Sequence, residues 1–166
     1  MSAYRILFLG DIVGEPGRKA VEQGLPSLQN TFQPLFTIVN GENSAAGVGI
    51  TPKIANQLLE WGADVITLGN HAFNKRDIYP YLDQEPRVVR PGNMPDGVPG
   101  KGSYTLEREG IRLTVANLCG RVFMDPYDDP FRASDRLVEG LEGAHLFLDF
   151  HAEATSEKIA MGWQIG

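Results

Sequence analysis

The fold is decided by the stretch Asp64-Val65-Ile66-Thr67-Leu68-Gly69-Asn70-His71. Its apolar, β-favouring run is too short for a helix and predicts a buried strand. We expect Gly69 to permit a sharp backbone turn that presents Asn70 and His71 at the carboxyl end of this strand. Ligands of open α/β sheets bind at that edge. The stretch therefore predicts an α/β protein with a functional site at its strand ends.

The rest of the chain alternates between strand and helix patterns. Predicted strands cover 4–9, 36–39, 65–68, 103–106, 111–118 and 144–150, and predicted helices cover 16–28, 52–61, 77–82, 130–141 and 155–161. Short connections and right-handed crossovers imply a parallel sheet with helices on its faces. The hairpin pattern around Arg108-Glu109-Gly110 predicts a mixed sheet, and residues 86–102, rich in proline and glycine, predict an irregular loop. We expect a single layered α/β domain over residues 1–166.

The composition limits the class of protein. A hydrophobic content of 42% and a charged content of 22% are ordinary for a globular domain. The net charge of −6 argues against a general nucleic-acid binder, which would carry a basic stripe. The longest apolar run near the amino terminus, residues 6–9, is far too short for a signal peptide or a membrane span. We therefore expect a cytoplasmic protein without a membrane partner.

Polar residues directly follow four of the predicted strands. They are Asp11; Asn40, Glu42 and Asn43; Asn70 and His71; and His151 and Glu153. If the strands are parallel neighbours, these side chains meet at one edge of the sheet, whereas His145 lies at the opposite end of its strand. Carboxylate, amide and imidazole groups suit Mn²⁺, Fe²⁺ or Zn²⁺. Two such ions, about 3.5–4 Å apart, would hold the attacking and leaving oxygens of a phosphoryl transfer, and Glu42 could bridge them.

Each of these residues also has an ordinary structural interpretation. Asp11 could cap the next helix, and Asn40 and Asn43 could form turns. A lone histidine at a strand end, such as His151, is more often structural than a metal ligand. Glu153 could simply orient the loop that contains His151. Four separate strands deliver such groups to one edge of the predicted sheet, and this coincidence favours a functional site.

Other catalytic motifs do not match the sequence. The glycines between Gly10 and Gly17 have the spacing of neither a dinucleotide fingerprint nor a P-loop. Ser44 lacks the flanking glycines of a nucleophile elbow. Cys119 is the only cysteine, which excludes a disulfide framework and a cysteine-based zinc site. We expect Cys119 to be a small buried side chain.

Four motifs stand out together. They are Gly10-Asp11-Ile12-Val13-Gly14, Asn40-Gly41-Glu42-Asn43-Ser44, Gly69-Asn70-His71 and Phe150-His151-Ala152-Glu153-Ala154-Thr155-Ser156-Glu157-Lys158. In these motifs, and over nearly its whole length, the chain resembles the YmdB-like branch of the calcineurin-like metallophosphoesterases. The resemblance implies a layered α/β fold and a dinuclear-metal phosphodiesterase that acts on cyclic nucleotides, notably 2′,3′-cyclic ones. Its partner would be a small cyclic nucleotide or another phosphodiester.

The resemblance also implies a ligand for each metal ion. Asp11 and Glu42 would hold the first ion, with Asn43 close by. Asn70 and His151 would hold the second ion, and Glu42 would bridge the two. Fe or Mn are the expected metals, and Zn is a further candidate.

Two catalytic roles follow from the same resemblance. His71 would donate a proton to the leaving oxygen or stabilise the transition state, rather than bind metal. Asn43 would help to stabilise the developing charge. Val13 stands where the wider superfamily usually has a metal-binding histidine, a departure that the YmdB-like branch shares.

One further departure concerns the carboxyl-terminal part. The family continues into a strand that ends in Gly-Thr-His-Thr-His, whose two histidines complete the metal shells, whereas this sequence ends at Gly166 and has three histidines, His71, His145 and His151. We therefore expect a carboxyl-terminally incomplete fold with an uncovered sheet edge, at which homo-oligomers could form. The alternatives to an enzyme are a truncated module that binds a nucleotide or a partner, and a purely structural fragment.

Overall fold

The computed structural model describes residues 3–166. Its elements are β1 (Ile6–Leu9), α1 (Gly14–Phe32), β2 (Phe36–Asn40), α2 (Pro52–Glu60), β3 (Val65–Thr67), α3 (Ile78–Gln84), β4 (Val88–Val89), β5 (Ser103–Arg108), β6 (Ile111–Cys119), α4 (Pro130–Glu139), β7 (His145–His151) and α5 (Thr155–Ile165). Every predicted strand and helix has a counterpart in this order. The predicted α/β fold class is therefore confirmed.

Four short strands form a parallel sheet in the order β1-β2-β3-β4. All residues of β2 and β3 are buried, as expected for parallel strands that are covered on both faces. On one face, α1, α2 and α3 contribute Leu25, Leu58 and Ile78 to a core that also includes Ile66. Thr51 begins α2 by accepting a hydrogen bond from the backbone nitrogen of Ile54, as an N-cap residue does.

The other three strands form a second sheet in the order β5-β6-β7. The predicted hairpin is confirmed, since β5 and β6 are antiparallel and Glu109 and Gly110 have φ of 54° and 75° in the turn. Strand β7 pairs with β6 in parallel, which places His151 opposite Cys119. Helices α4 and α5 cover the outer face of this sheet, so that the fold has helices on both faces.

The two sheets stack on each other. Phe36 and Ile38 of the first sheet pack with Leu113 and Val115 of the second. The predicted mixed sheet is the second one, in which β5 and β6 pair antiparallel and β6 and β7 pair in parallel. The sequence did not predict that the strands divide between two sheets. After β4, which is only two residues long, the chain adds a single bridge, between Val89 and Lys101.

Strand β4 was not expected from the sequence, which predicted an irregular loop over residues 86–102. It pairs in parallel with β3. A strand of two residues is too short to produce an alternating pattern. Within residues 3–166, no helix combines the length and apolar character needed to cross a membrane.

Candidate metal centre

The carboxyl ends of β1, β2, β3 and β7 meet at one edge of the stacked sheets. The loop after β1 is held against the loop after β2, because the backbone nitrogen of Ile12 donates to the oxygen of Asn40 over 3.0 Å. Asp11 has a φ of 36°, which aspartate tolerates better than most residues. Its Oδ1 accepts a hydrogen bond of 2.9 Å from Asn43 Nδ2. Asp11 and Asn43 therefore lie together, as predicted.

Glu42 is the centre of the cluster. It is only 1% exposed, and its Oε1 lies 3.2 Å from His151 Nε2 and 3.6 Å from His71 Nδ1. The same oxygen accepts a hydrogen bond of 3.0 Å from Asn43 Nδ2. The backbone nitrogen of Glu42 donates to Asn40 Oδ1 over 3.2 Å, which fixes the start of its loop. One buried carboxylate thus contacts groups from β2, β3 and β7.

Burial raises the pKa of Glu42, because the charged carboxylate loses its hydration. The nearby His151 acts in the opposite direction, as do the backbone nitrogen and the ring of His71. The net effect of these surroundings disfavours the ionised carboxylate. A divalent cation would reverse that balance, since an adjacent positive charge stabilises the ionised form.

Gly69 is required by the close approach of Glu42 rather than by a turn. Gly69 has no positive φ, so the sharp turn expected from the sequence is not the reason for this glycine. A Cβ atom built on Gly69 would lie 1.9 Å from Glu42 Oε2 and 2.8 Å from His151 Cδ2. No side chain fits in that space.

The two remaining polar residues of the Gly69-Asn70-His71 motif each bond to another member of the cluster. Asn70 Oδ1 lies 2.9 Å from His151 Nε2, and His71 Nδ1 lies 2.9 Å from Asn43 Oδ1. The six residues to which the resemblance gives a metal-binding or catalytic role therefore form one cluster of hydrogen bonds, in which the 3.2 Å contact between Glu42 and His151 joins Asn70 to the others. His145 stands apart, as expected, with its ring 5.4 Å from the ring of Tyr4.

The donor groups fit divalent metal ions by their chemistry. The cluster offers two carboxylates, two amide oxygens and two imidazoles, a set suited to Mn²⁺, Fe²⁺ or Zn²⁺. Across residues 3–166, no three side chains of histidine, cysteine, aspartate or glutamate are already arranged around one common point for a metal ion. The donor atoms are hydrogen-bonded to each other instead. Metal binding would replace these hydrogen bonds with ligand bonds.

The structure distinguishes between the alternative interpretations of several residues. Asp11 does not cap α1, whose N-cap residue is Val13. Asn40 is buried and supports the cluster from below, with its Nδ2 donating to Asp149 Oδ2 over 2.8 Å. Glu153 is exposed. Cys119 is buried as predicted, and burial raises the pKa of its thiol, which makes it a poor nucleophile.

Sequence reasoning missed Asp149, which joins the two sheets beneath the cluster. Asp149 Oδ2 accepts hydrogen bonds from Asn40 Nδ2 and from Thr67 Oγ1, at 2.8 and 2.5 Å. The sequence did contain a sign of this role, because Asp149 is a charged residue within the apolar run of a predicted strand. A carboxylate in such a position needs partners, and here they come from β2 and β3.

The loop that connects β6 to α4 borders the cluster. It begins where the backbone nitrogen of Gly120 donates to the oxygen of His151 over 2.9 Å. Further along, Tyr127 packs against the core cluster that contains Ile12 and Leu68. Burial raises the pKa of Tyr127, and the charges of Cys119, Asp125 and Glu42 raise it further. The loop therefore begins next to His151 and returns to the core cluster that contains Ile12.

The structure is a layered α/β fold with this polar cluster at the carboxyl ends of its strands. The chain belongs to the YmdB-like protein family, whose model matches residues 7–166. The resemblance carried by the four sequence motifs is thereby confirmed.

Similar proteins agree with this assignment. A 2′,3′-cyclic-nucleotide 2′-phosphodiesterase of Bacillus subtilis (strain 168) is 50% identical over 161 residues, which are 96% of this chain and 61% of that protein. A crystal structure of a hypothetical protein from Thermus thermophilus has a TM-score of 0.91 at 44% identity, covering 97% of this chain and 63% of that one. The crystal structure of a phosphatase from Mycoplasma pneumoniae has a TM-score of 0.92 at 30% identity, and the match covers 99% of this chain and 60% of that one. The chain thus spans about three fifths of the length of these relatives.

Proposed function

We propose that the chain contributes the active centre of a dinuclear-metal phosphodiesterase that hydrolyses 2′,3′-cyclic nucleotides. The observation that carries this proposal is the network of six polar side chains built around the buried carboxylate of Glu42. The substrate class is supported by the similarity to the phosphodiesterase of Bacillus subtilis. Both the activity and the substrate are proposals for the whole protein.

The proposed ligands are those that the family resemblance implies, and the contacts of the cluster support them. Asp11 and Glu42 would hold the first ion, and Asn70 and His151 the second, with Glu42 shared between them. Asn43 bonds to both Asp11 and Glu42, so it would lie beside the first ion when that ion is bound. When bound, Fe, Mn or Zn ions would neutralise phosphate charge and help to generate a nucleophile from water.

His71 is the proposed proton donor. Its Nδ1 is oriented by Asn43 Oδ1 at 2.9 Å, and its side chain is 36% exposed, in contrast to the buried Glu42. A ring whose Nδ1 faces the protein presents Nε2 on the other side, where it can protonate the leaving oxygen of a substrate. Asn43, which bonds to Nδ1, also helps to stabilise the charge that develops on the phosphate.

Metal content and hydrolysis test this proposal directly. We expect about two equivalents of metal per chain, and hydrolysis of adenosine 2′,3′-cyclic phosphate in added Mn²⁺. Glu42→Gln should abolish turnover and weaken metal binding, because one neutral amide cannot bridge two cations. Glu153→Gln makes the same chemical change at an exposed position and should alter neither turnover nor metal binding. Undiminished turnover in Glu42→Gln would refute the bridging role.

A second candidate function is a nucleotide-binding module without catalysis. It is favoured by the mutual hydrogen bonding of the donor atoms. This function would give a saturable rise in melting temperature with added nucleotide but no metal-dependent hydrolysis. Hydrolysis at two metal equivalents would exclude it.

The organisation and location of the chain are also proposals. We propose one domain over residues 1–166 in a cytoplasmic protein that can form homo-oligomers through a sheet edge and has no general affinity for nucleic acid. A single cooperative unfolding transition would support one domain. Sedimentation analysis measures the oligomeric state.

A further inference from the structure

The loop between β6 and α4, residues 120–129, is clamped at both ends by one buried side chain. Asn93 Nδ2 donates to the backbone oxygens of Cys119 and Asp128 over 2.7 and 2.9 Å. In return, the backbone nitrogen of Cys119 donates to Asn93 Oδ1 over 2.8 Å, and that of Asp128 donates to the oxygen of Asn93 over 3.0 Å. Four hydrogen bonds thus fix where the loop leaves and rejoins the fold.

The first half of the loop is held by a buried carboxylate. Glu157 accepts from the backbone nitrogen of Arg121 over 2.9 and 3.1 Å, and from that of Val122 over 3.3 Å. The carboxylate sits so close to Gly120 that a Cβ atom there would lie 2.3 Å from Glu157 Oε2. A charged group that accepts several backbone hydrogen bonds is a strong anchor. This part of the loop is therefore held in one conformation.

Phe123 lies at the tip of this anchored loop and is unusual in two ways. Its side chain is 89% exposed, and its φ of 64° is in the left-handed region, which a bulky residue rarely adopts. Both features oppose stability, because the ring is not buried and the backbone is strained. Strained residues of this kind are concentrated at binding sites, where the surroundings hold them in place.

The position of the loop connects Phe123 to the metal centre. The loop starts beside His151, and its Tyr127 packs against the core cluster that includes Ile12, the residue that follows Asp11. A nucleotide whose phosphate is bound at the proposed metal centre would extend its base away from the reacting phosphate, toward the loops that border the centre. Aromatic side chains bind bases of any sequence by stacking, because every base has a flat π face.

We propose that Phe123 is the surface on which the base of the nucleotide substrate stacks, so that it selects nucleoside cyclic phosphates over phosphodiesters without a base. This inference rests on the proposed function, which supplies a base next to the reacting phosphate. Phe123 acts in substrate binding and takes no part in bond cleavage.

The kinetic test compares two substrates that differ only in the base. For adenosine 2′,3′-cyclic phosphate, Phe123→Ala should raise KM about 5- to 150-fold with little change in kcat. For ribose 2′,3′-cyclic phosphate, which has no base, KM should stay the same. Phe123→Trp should restore the low KM, and Phe123→Gly, which suits the left-handed backbone, should raise KM as alanine does. An equal KM for wild type and Phe123→Ala, or an equal rise for both substrates, would overturn the inference.

Val122→Ala is the matched control. Val122 is a neighbouring apolar residue, 43% exposed, and its contact with Glu157 uses only the backbone. The variant should leave KM for both substrates unchanged. If Phe123→Ala instead dissociates an oligomer and leaves KM unchanged, the exposed ring belongs to a protein interface and the inference is wrong.

A binding measurement separates this inference from the proposed function. In Phe123→Trp, adenosine 2′,3′-cyclic phosphate should quench the fluorescence of the added tryptophan saturably. The quenching should exceed any fluorescence change in the parent protein, which contains Trp61 and Trp163. Absence of hydrolysis with saturable quenching would refute the proposed function and support stacking. Hydrolysis without quenching would support the function and overturn stacking.

Discussion

Replacing Gly69 by alanine should disrupt the cluster through a single methyl group. The new Cβ atom would lie 1.9 Å from Glu42 Oε2, whereas ordinary contacts begin at 3.4 Å. The carboxylate would have to retreat by about 1.5 Å, and close-packed surroundings leave it no free space for that movement. His151 is displaced by the same methyl group, because its Cδ2 would lie 2.8 Å away.

The expected cost follows from overpacking a buried position. Such a change costs about 1–3 kcal/mol, which lowers the melting temperature of a chain of this length by roughly 2–12 °C. Divalent metal affinity should fall by at least about tenfold, because displacing two ligands removes more than the 1.4 kcal/mol that a tenfold change requires. Urea denaturation followed by circular dichroism measures the stability, and calorimetric titration with Mn²⁺ measures the affinity.

Gly24→Ala is the control, since it makes the same change inside α1, where no atom lies within 4 Å of the added Cβ. There alanine should stabilise the helix by about 0.5–1 kcal/mol. If Gly69→Ala kept both the stability and the Mn²⁺ affinity of the parent chain, the close approach of Glu42 to the β3 loop would be refuted.

Two further perturbations test the surroundings of the cluster and the pH dependence of the fold. Asp149→Ala leaves Asn40 Nδ2 and the Thr67 hydroxyl without their acceptor. The free energy of unfolding, measured by urea denaturation, should fall by about 1–3 kcal/mol for each group. A loss below about 0.5 kcal/mol would contradict the link between the sheets. The hydrogen bond from Arg87 lowers the pKa of Glu85 from 4.5, so this pair stabilises the fold at neutral pH and the gain disappears as the pH falls through the folded-state pKa. The destabilisation caused by Arg87→Gln should therefore be larger at pH 7 than at pH 3, and an equal or opposite difference would show that the pair does not act through the charge of Glu85.

The residues of the cluster could be predicted from sequence because strand ends are encoded locally. Each apolar run is followed by a polar residue, and parallel strands place those polar residues at one edge of the sheet. This reasoning identified Asp11, Glu42 and His151 without knowledge of the strand order. It also separated His145 from the site, since that residue begins its strand rather than ending it.

The parts that could not be predicted depend on contacts between distant segments. Asp149 bonds to residues 82 and 109 positions away, and no local pattern identifies such partners. Gly69 was recognised for its flexibility, but its role is to make room for a carboxylate from another strand. Strand β4 exists only because β3 offers it a partner. The division into two sheets has the same origin in tertiary packing.

The stacking of the two sheets has a consequence for how the molecule forms. Glu42 and Asn70 follow strands of the first sheet, whereas His151 ends a strand of the second and is the last of the cluster residues to be synthesised. During translation the first sheet can form while the cluster still lacks the imidazole of His151. A metal ion that binds all of these residues would favour only the chains whose sheets have already docked, and it would slow their separation afterwards. Metal supply would then influence how long the folded protein survives.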